Sequence, residues 1–158
     1  MRIEVDLGRQ QLRLVQEDVL LAHYRVSTAA NGAGERNGSL CTPRGLHRIR
    51  AKIGEGLAPG AVLVGRRPTG EVWSPELHEA QPGRDWILTR ILWLCGSEPG
   101  RNRFGEVDTM RRYIYIHGAP ESAAMGVPGS HGCVRMRNDE LIELFDRVPV
   151  GCEVMIHE

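Results

Sequence analysis

Residues 2–15, RIEVDLGRQQLRLV, contain two stretches in which apolar and polar side chains alternate. Ile3, Val5 and Leu7 alternate with charged residues, and after a GRQ turn the stretch at 11–15 alternates again. A period of two is typical of a β-strand with one buried face. Because the connection is short, we expect an antiparallel hairpin, since parallel neighbours need a long crossover.

The same pattern extends over most of the chain. Further strands are predicted at 19–28, 46–53, 86–96, 112–118 and 152–158, turns at APG, RRPTG and QPGRD, and long loops at 29–45 and 96–108. A helix is predicted after Asn138, the expected N-cap, because Leu141, Leu144, Phe145 and Val148 recur at helical spacing. The sequence therefore predicts a single, mainly β domain over residues 1–158 with one short helix.

Composition excludes several classes of partner. The chain has 158 residues, is 41% hydrophobic and 25% charged, and carries no net charge. No overall field would attract nucleic acid or an anionic membrane surface. No apolar run approaches the ~20 residues of a membrane helix. The charged N-terminus has no signal-peptide core, so we expect a cytoplasmic protein, or a periplasmic one only if the chain is trimmed.

The four cysteines have no paired C-x-x-C spacing, which argues against a zinc site built on paired thiolates. In a reducing compartment, disulfides are not expected. Cys95 and Cys152 lie in apolar stretches and are predicted to be buried, whereas Cys41 lies in a polar loop and is predicted to be near solvent. Cys133 stands apart, because its neighbours are glycine, serine and histidine.

The stretch GSHGCVRM at 129–136 has the composition that a cysteine nucleophile needs. Gly132 leaves room for a carbonyl to approach the backbone, and N–H groups of the turn could receive an oxyanion. Arg135 adds a nearby positive charge, and the helix that follows could add a favourable dipole. A buried, merely structural cysteine remains an alternative at this stage.

Two histidines could act as the base for Cys133. His131 is two residues away in the loop, whereas His117 ends the stretch RYIYIHG, on the same predicted strand face as Tyr113 and Tyr115. A rigid strand holds an imidazole better than a flexible loop, which favours His117. A zinc site formed by His117, His131 and Cys133 remains a further alternative.

IYIHG followed by SHGCVRM resembles the signature of YkuD-type L,D-transpeptidases, cysteine enzymes that act on peptidoglycan. The resemblance extends to IEVDLGRQQLRLV near the start, TPRGLHRI at 42–49 and NDELIELFDRVPVGCEVMI at 138–156. It implies a β-sandwich-like catalytic domain with a short helix after the cysteine motif and with the cysteine at the mouth of a groove. It implies no cofactor.

The resemblance also implies roles for individual residues. Cys133 would attack the carbonyl of meso-diaminopimelate in a stem tetrapeptide and expel the terminal D-Ala. His117 would be general base and acid, oriented by the main-chain carbonyl of Gly118. The pocket and oxyanion site would be framed by Ser130, His131, Gly132 and Arg135, with Tyr115 as a groove residue because it shares the face of His117.

The implied partners are peptidoglycan stem peptides or soluble muropeptides, with carbapenems as covalent inhibitors. Twelve residues separate His117 from Ser130, slightly fewer than in many relatives, which leaves the lid and the acceptor groove undefined. Without a signal peptide or a wall-binding module in the sequence, we expect water to resolve the thioester, giving tripeptide and D-Ala. The alternatives are an L,D-transpeptidase that forms 3-3 crosslinks or exchanges D-amino acids, and a non-catalytic module that binds peptidoglycan stems.

Overall fold

Ten strands form one hydrogen-bonded sheet in the computed structural model, which describes residues 1–158. The strands are β1 (Arg2–Asp6), β2 (Gln11–Gln16), β3 (Val19–Arg25), β4 (Gly45–Ile53), β5 (Ala61–Val64), β6 (Arg67–Val72), β7 (Ile87–Gly96), β8 (Tyr115–Gly118), β9 (Val134–Met136) and β10 (Glu153–His157). The helices are α1 (Pro75–Ala80) and α2 (Asn138–Arg147), with 3-10 turns at Gly105–Val107 and Met110–Arg112. The mainly β prediction is confirmed.

The strands follow the order β3-β2-β1-β10-β4-β7-β5-β6, with β8 paired to β7 and β9 paired to β8. The predicted β1–β2–β3 hairpins are present as antiparallel pairs. Two pairs are parallel, β1 with β10 and β8 with β9, and short connections could not have indicated either. The β8–β9 pair matters most, because it sets the segments containing His117 and Cys133 side by side.

Helix α2 packs its apolar stripe onto the sheet. Leu141, Leu144 and Phe145 are buried in the main core together with Leu92 and Leu94 of β7. The helical spacing of these side chains was correctly read from the sequence. The predicted cap was wrong, because Arg137 is the N-cap and Asn138 is the first helical residue, with its side chain buried.

Strands β5 and β9 were not predicted, and three further elements differ from the sequence prediction. RRPTG was expected to be a turn, but the turn is at Gly65 and Arg66, both with positive φ, and most of RRPTG lies in the exposed strand β6. The short helix α1 was not predicted, although Ser74 caps it by accepting a hydrogen bond from the Leu77 N–H at 3.0 Å. The predicted strand at 112–118 begins only at Tyr115, because Tyr113 has left-handed backbone geometry with φ 56°.

All four cysteines are free thiols. Cys152 is buried in the main core as predicted. Cys95 is only half-buried, because it lies on the face of β7 opposite Leu92 and Leu94 and its Sγ contacts the Arg48 carbonyl at 3.7 Å. Neither helix is long and apolar enough to cross a lipid bilayer.

Candidate active site

Parallel pairing of β8 with β9 brings the two predicted motifs together. His117 lies opposite Arg135, and Cys133 immediately precedes the first residue of β9. A cavity of about 430 Å³, here called the central cavity, opens beside this pair. Six residues proposed from the sequence line it: Tyr115, His117, Ser130, His131, Cys133 and Arg135. Gly118 and Gly132 are neighbours of lining residues and shape the backbone behind them.

The Cys133 sulfur is held by the backbone of the chain leading into β8. The Tyr115 N–H donates to Sγ at 3.3 Å, and the thiol donates to the Tyr113 carbonyl at 3.4 Å. Although Cys133 keeps some solvent exposure, burial raises the pKa of its thiol to about 12, and the positive charges of Arg112 and Arg135 do not offset this. Burial therefore favours the neutral thiol form of the resting Cys133 side chain over the thiolate.

His117 is buried, and its ring is oriented by its own strand. Nδ1 lies 2.6 Å from the Gly118 carbonyl oxygen, which can only accept, so Nδ1 carries the proton and Nε2 keeps a free lone pair. Burial lowers the pKa of His117, which keeps the imidazole neutral. No hydrogen bond joins Cys133 to His117 in this structure, because the thiol is directed to the Tyr113 carbonyl.

A buried polar network stands behind Gly118. The Thr89 hydroxyl donates to Asn138 Oδ1 at 2.6 Å, and Asn138 Nδ2 donates to the Ala119 carbonyl at 2.9 Å. A Cβ at Gly118 would overlap Asn138 Oδ1 and lie 2.6 Å from the Leu88 carbonyl oxygen, so only glycine fits. This network was not predicted from the sequence, where Asn138 has the position of a helix cap and Thr89 is one residue of an apolar strand.

The Ser130–Cys133 turn is fixed by side-chain hydrogen bonds. Ser130 Oγ donates to the Cys133 carbonyl at 2.6 Å and accepts the Gly132 N–H at 3.2 Å. Gly132 has φ 129°, which favours glycine, and its carbonyl accepts the hydroxyl of the buried Thr42 at 2.9 Å. The N–H of Cys133 makes no hydrogen bond within the chain. It is therefore free to receive a developing oxyanion.

Three arginines line the central cavity. The guanidinium group of each already donates at least one hydrogen bond within the chain. Arg135 Nη2 donates to Ser27 Oγ at 2.7 Å, and Arg66 Nη1 donates to the Tyr115 hydroxyl at 3.1 Å. Arg112 Nη2 donates to the Cys41 carbonyl at 2.5 Å, and its Nη1 contacts two further loop carbonyls. The cavity wall is therefore cationic and suits an anionic ligand. Of the three, only Arg135 was assigned to the site from the sequence.

No group of three histidine, cysteine, aspartate or glutamate side chains is arranged to hold a metal ion. The zinc alternative built on His117, His131 and Cys133 therefore has no ligand set here. His131 is exposed at the rim of the cavity.

Comparisons with known proteins agree with this geometry. A family model described as the L,D-transpeptidase catalytic domain, YkuD, matches residues 1–156. The chain is 47% identical over 102 residues to the probable L,D-transpeptidase ErfK/SrfK of Salmonella typhimurium, covering 57% of this chain and 33% of that relative. The chain thus spans about one third of that relative's length.

Solved structures share the fold at low sequence identity. An L,D-transpeptidase from Mycobacterium smegmatis superposes with a TM-score of 0.61 at 18% identity, covering 99% of this chain and 58% of that one. The L,D-transpeptidase LdtMt1, solved in complex with imipenem, has a TM-score of 0.57 at 18% identity, covering 98% and 57%. With the match of the family model over nearly the whole chain, these findings show that the chain belongs to the YkuD family of L,D-transpeptidase catalytic domains.

Proposed function

We propose that Cys133 is the nucleophile and His117 the general base of an acyl transfer. One observation carries this proposal: the Cys133 thiol and a neutral, carbonyl-oriented imidazole line the same cavity. A neutral thiol needs a base at the moment of attack, and a neutral imidazole with a free Nε2 is that base. The arrangement resembles the cysteine–histidine pairs that form thioesters with peptide carbonyls.

The first half-reaction then balances without a cofactor. The thiol turns from the Tyr113 carbonyl toward His117, Nε2 accepts its proton, and sulfur forms a bond to the substrate carbonyl carbon. The free N–H of Cys133 stabilises the oxyanion. Collapse breaks the carbon–nitrogen bond, and the imidazolium returns the proton to the departing amine. The products of this step are a thioester on Cys133 and a free amino acid.

We propose the bond between meso-diaminopimelate and terminal D-Ala of a peptidoglycan stem tetrapeptide as the substrate. Stem peptides carry several carboxylates, and the central cavity has the guanidinium groups of Arg66, Arg112 and Arg135 in its wall. Free peptide and soluble muropeptide share this chemistry. The relatives and solved structures that this chain resembles are named L,D-transpeptidases, which supports this assignment.

Water is the proposed acceptor whenever no amine is bound. The rim of the central cavity includes the exposed side chains of Asp85, Tyr113 and His131, so solvent can reach a thioester on Cys133. His117 would then activate water as it activated the thiol. This outcome, tetrapeptide to tripeptide plus D-Ala, is an L,D-carboxypeptidase reaction. The expected cytoplasmic location stays a prediction.

Mass analysis of the products tests the proposal. Purified protein incubated with the stem tetrapeptide should release D-Ala and accumulate tripeptide, and Cys133→Ala should release none. Cys95→Ala is the matched control, since Cys95 lies outside the cavity, and it should keep full activity. Retained turnover in Cys133→Ala would overturn the nucleophile assignment. Tight tetrapeptide binding without turnover by the wild type would favour a non-catalytic binding module.

A further inference from the structure

Another cavity lies apart from the residues to which the acyl transfer is assigned. It has a volume of about 700 Å³ and is here called the outer cavity. Its wall is formed by strand β4, the end of strand β7 and the segment 103–111 of the loop that follows. None of its lining residues lines the central cavity. The outer cavity is therefore a separate space, and the proposed function leaves its residues without a role.

The wall of the outer cavity is strongly cationic. Four of its side chains are exposed arginines: Arg48, Arg50, Arg103 and Arg111. Only one acidic residue, Asp108, lines the same space, so the wall has a surplus of three positive charges. Of the four arginines only Arg48 forms an ion pair, with Glu153 at 3.8 Å. The other three guanidinium groups have no carboxylate partner in the chain.

The acidic side chain of this wall is engaged by the backbone and does not neutralise the arginines directly. Asp108 is buried, and its Oδ1 accepts the Phe104 N–H at 2.6 Å while its Oδ2 accepts the Arg111 N–H at 3.0 Å. The guanidinium groups of Arg50, Arg103 and Arg111 make no hydrogen bond within the chain. Their donors are therefore free to bind an anionic ligand.

Phe104 adds an aromatic surface beside these charges. Its side chain is 57% exposed, and the Arg103 guanidinium lies 4.7 Å from the centroid of its ring. Its backbone has φ 69° and ψ 161°, a combination that is otherwise adopted almost only by glycine. Backbone strain of this kind clusters at positions that hold ligands. Here it keeps a large apolar ring in solvent, a placement that packing of the core does not require.

We propose that the outer cavity binds a nucleoside diphosphate, with its phosphates on Arg50 and Arg111 and its base on the ring of Phe104. Guanidinium groups bind phosphate oxygens through paired, charge-assisted hydrogen bonds. Every base can stack on an aromatic side chain, so purine and pyrimidine nucleotides both belong to this class. A volume of about 700 Å³ is in the range of small-ligand sites. The absence of net charge on the chain favours one small anion over a long nucleic acid.

Calorimetric titration of the whole protein with ADP, pyrophosphate and adenosine separates the two halves of the ligand. ADP should bind with a Kd below about 1 mM and about tenfold more tightly than either half alone, because it engages both the arginines and the ring. Arg50→Gln should weaken binding of ADP and of pyrophosphate about tenfold. Arg67→Gln removes an exposed arginine of β6 outside the cavity and is the matched control, which should change neither affinity.

Substitution of Phe104 tests the stacking contact by itself. Phe104→Leu should lower the affinity for ADP about tenfold and leave pyrophosphate binding unchanged, because only the base loses its aromatic partner. Phe104→Trp retains an aromatic surface and should bind ADP as the wild type does. Wild-type ADP affinity in Phe104→Leu would show that the base does not lie on this ring, and would overturn the inference.

The thiol of Cys95 reports where ADP binds, because this half-buried side chain lines the outer cavity. Saturating ADP should slow the alkylation of Cys95 by iodoacetamide, measured by peptide mapping, while Cys41, which lies outside this cavity, should keep its rate. Unprotected Cys95 at saturation, pyrophosphate binding as tight as that of ADP, or wild-type ADP affinity in Arg50→Gln would each overturn the inference. The proposed chemistry of Cys133 would stand in every one of these cases.

Discussion

Burial shifts the pKa values of the two proposed catalytic side chains, Cys133 and His117, in opposite directions. It raises the pKa of the Cys133 thiol to about 12 and lowers the pKa of the His117 imidazole. Both shifts favour the neutral form, so the resting pair is thiol and imidazole and not an ion pair. Proton transfer is then coupled to attack on the substrate. A pair of this kind avoids a buried thiolate that would react with any electrophile.

This charge state predicts a distinctive pH profile for acylation by a carbapenem. Neutral His117 is the reactive form, and its pKa lies below the usual 6.5, so the rate should be constant from pH 7 to pH 9. The rate should fall only at a pH below the range in which an ordinary histidine titrates, because the lowered pKa delays protonation of the imidazole. Stopped-flow measurement of the acylation rate between pH 4 and pH 9 checks this.

The variant His117→Asn is the control for that profile. Without the base, only the rare thiolate can react, so the rate should be low and should rise about tenfold per pH unit through pH 9. A wild-type profile that rises in the same way would show that thiolate formation, and not general-base catalysis, controls the rate.

At the scale of elements, the irregular segment at 29–44 is part of the site. Thr42, fully buried, accepts the Ala29 N–H at 3.0 Å and donates to the Gly132 carbonyl at 2.9 Å. Arg112 reaches the same segment through the Cys41 carbonyl at 2.5 Å. The Thr42–Gly132 bond ties this segment to the Ser130–Cys133 turn across a separation of 90 residues. The loop therefore holds the turn in the shape that presents Cys133.

Replacement of Thr42 by valine should loosen that turn. The change keeps the shape but leaves the Ala29 N–H and the Gly132 carbonyl without partners, which costs about 1–3 kcal/mol of unfolding free energy. The carbapenem acylation rate should fall about tenfold because the nucleophile is held less firmly. Denaturant unfolding and stopped-flow acylation measure the two effects.

Thr69→Val is the matched control, since Thr69 is exposed and its hydroxyl contacts only Glu71. It should leave both quantities close to those of the wild type. Wild-type acylation in Thr42→Val, together with normal stability, would show that the 29–44 segment does not position the turn.

At the scale of the whole molecule, the sheet brings together residues that are far apart in sequence. His117 is the last residue but one of β8, Cys133 precedes β9, and Asp85 lies two residues before β7. Two strand pairings bring these residues together: β7 pairs with β8 in antiparallel orientation, and β8 pairs with β9 in parallel orientation. Each pairing places one loop at the edge of the central cavity, so the site depends on sheet register more than on local sequence.

Elements with a periodic apolar pattern could be predicted, and those without one could not, including β5, which buries three consecutive residues. The alternation in β1 and β2 and the helical spacing in α2 follow from which side chains are buried. All three elements were predicted from the sequence and are present in the structure. Strand β6 is almost wholly exposed and α1 buries no residue, so neither has a periodic apolar pattern. Strand β9, three residues long, is too short for any period to be visible.

The residues of the candidate site also fall into two groups, those that could be predicted from the sequence and those that could not. Cys133 and His117 could be chosen because their own neighbours carry a chemical signal. Asp85, Arg66 and Thr42 could not, because each comes from a separate segment whose approach to the cavity depends on sheet pairing. The charge state of Cys133 was also beyond the sequence, since it follows from burial and not from the nearby arginine.

We expect one sulfur, that of Cys133, to form the acyl-enzyme. Exposure to a carbapenem, followed by intact-mass analysis and peptide mapping, would identify the modified residue, and one solved neighbour is a complex with imipenem, a member of that class. A single adduct should map to Cys133 and be absent from a folded Cys133→Ser variant. An adduct on Cys41, Cys95 or Cys152, or none on folded wild-type protein, would contradict this expectation.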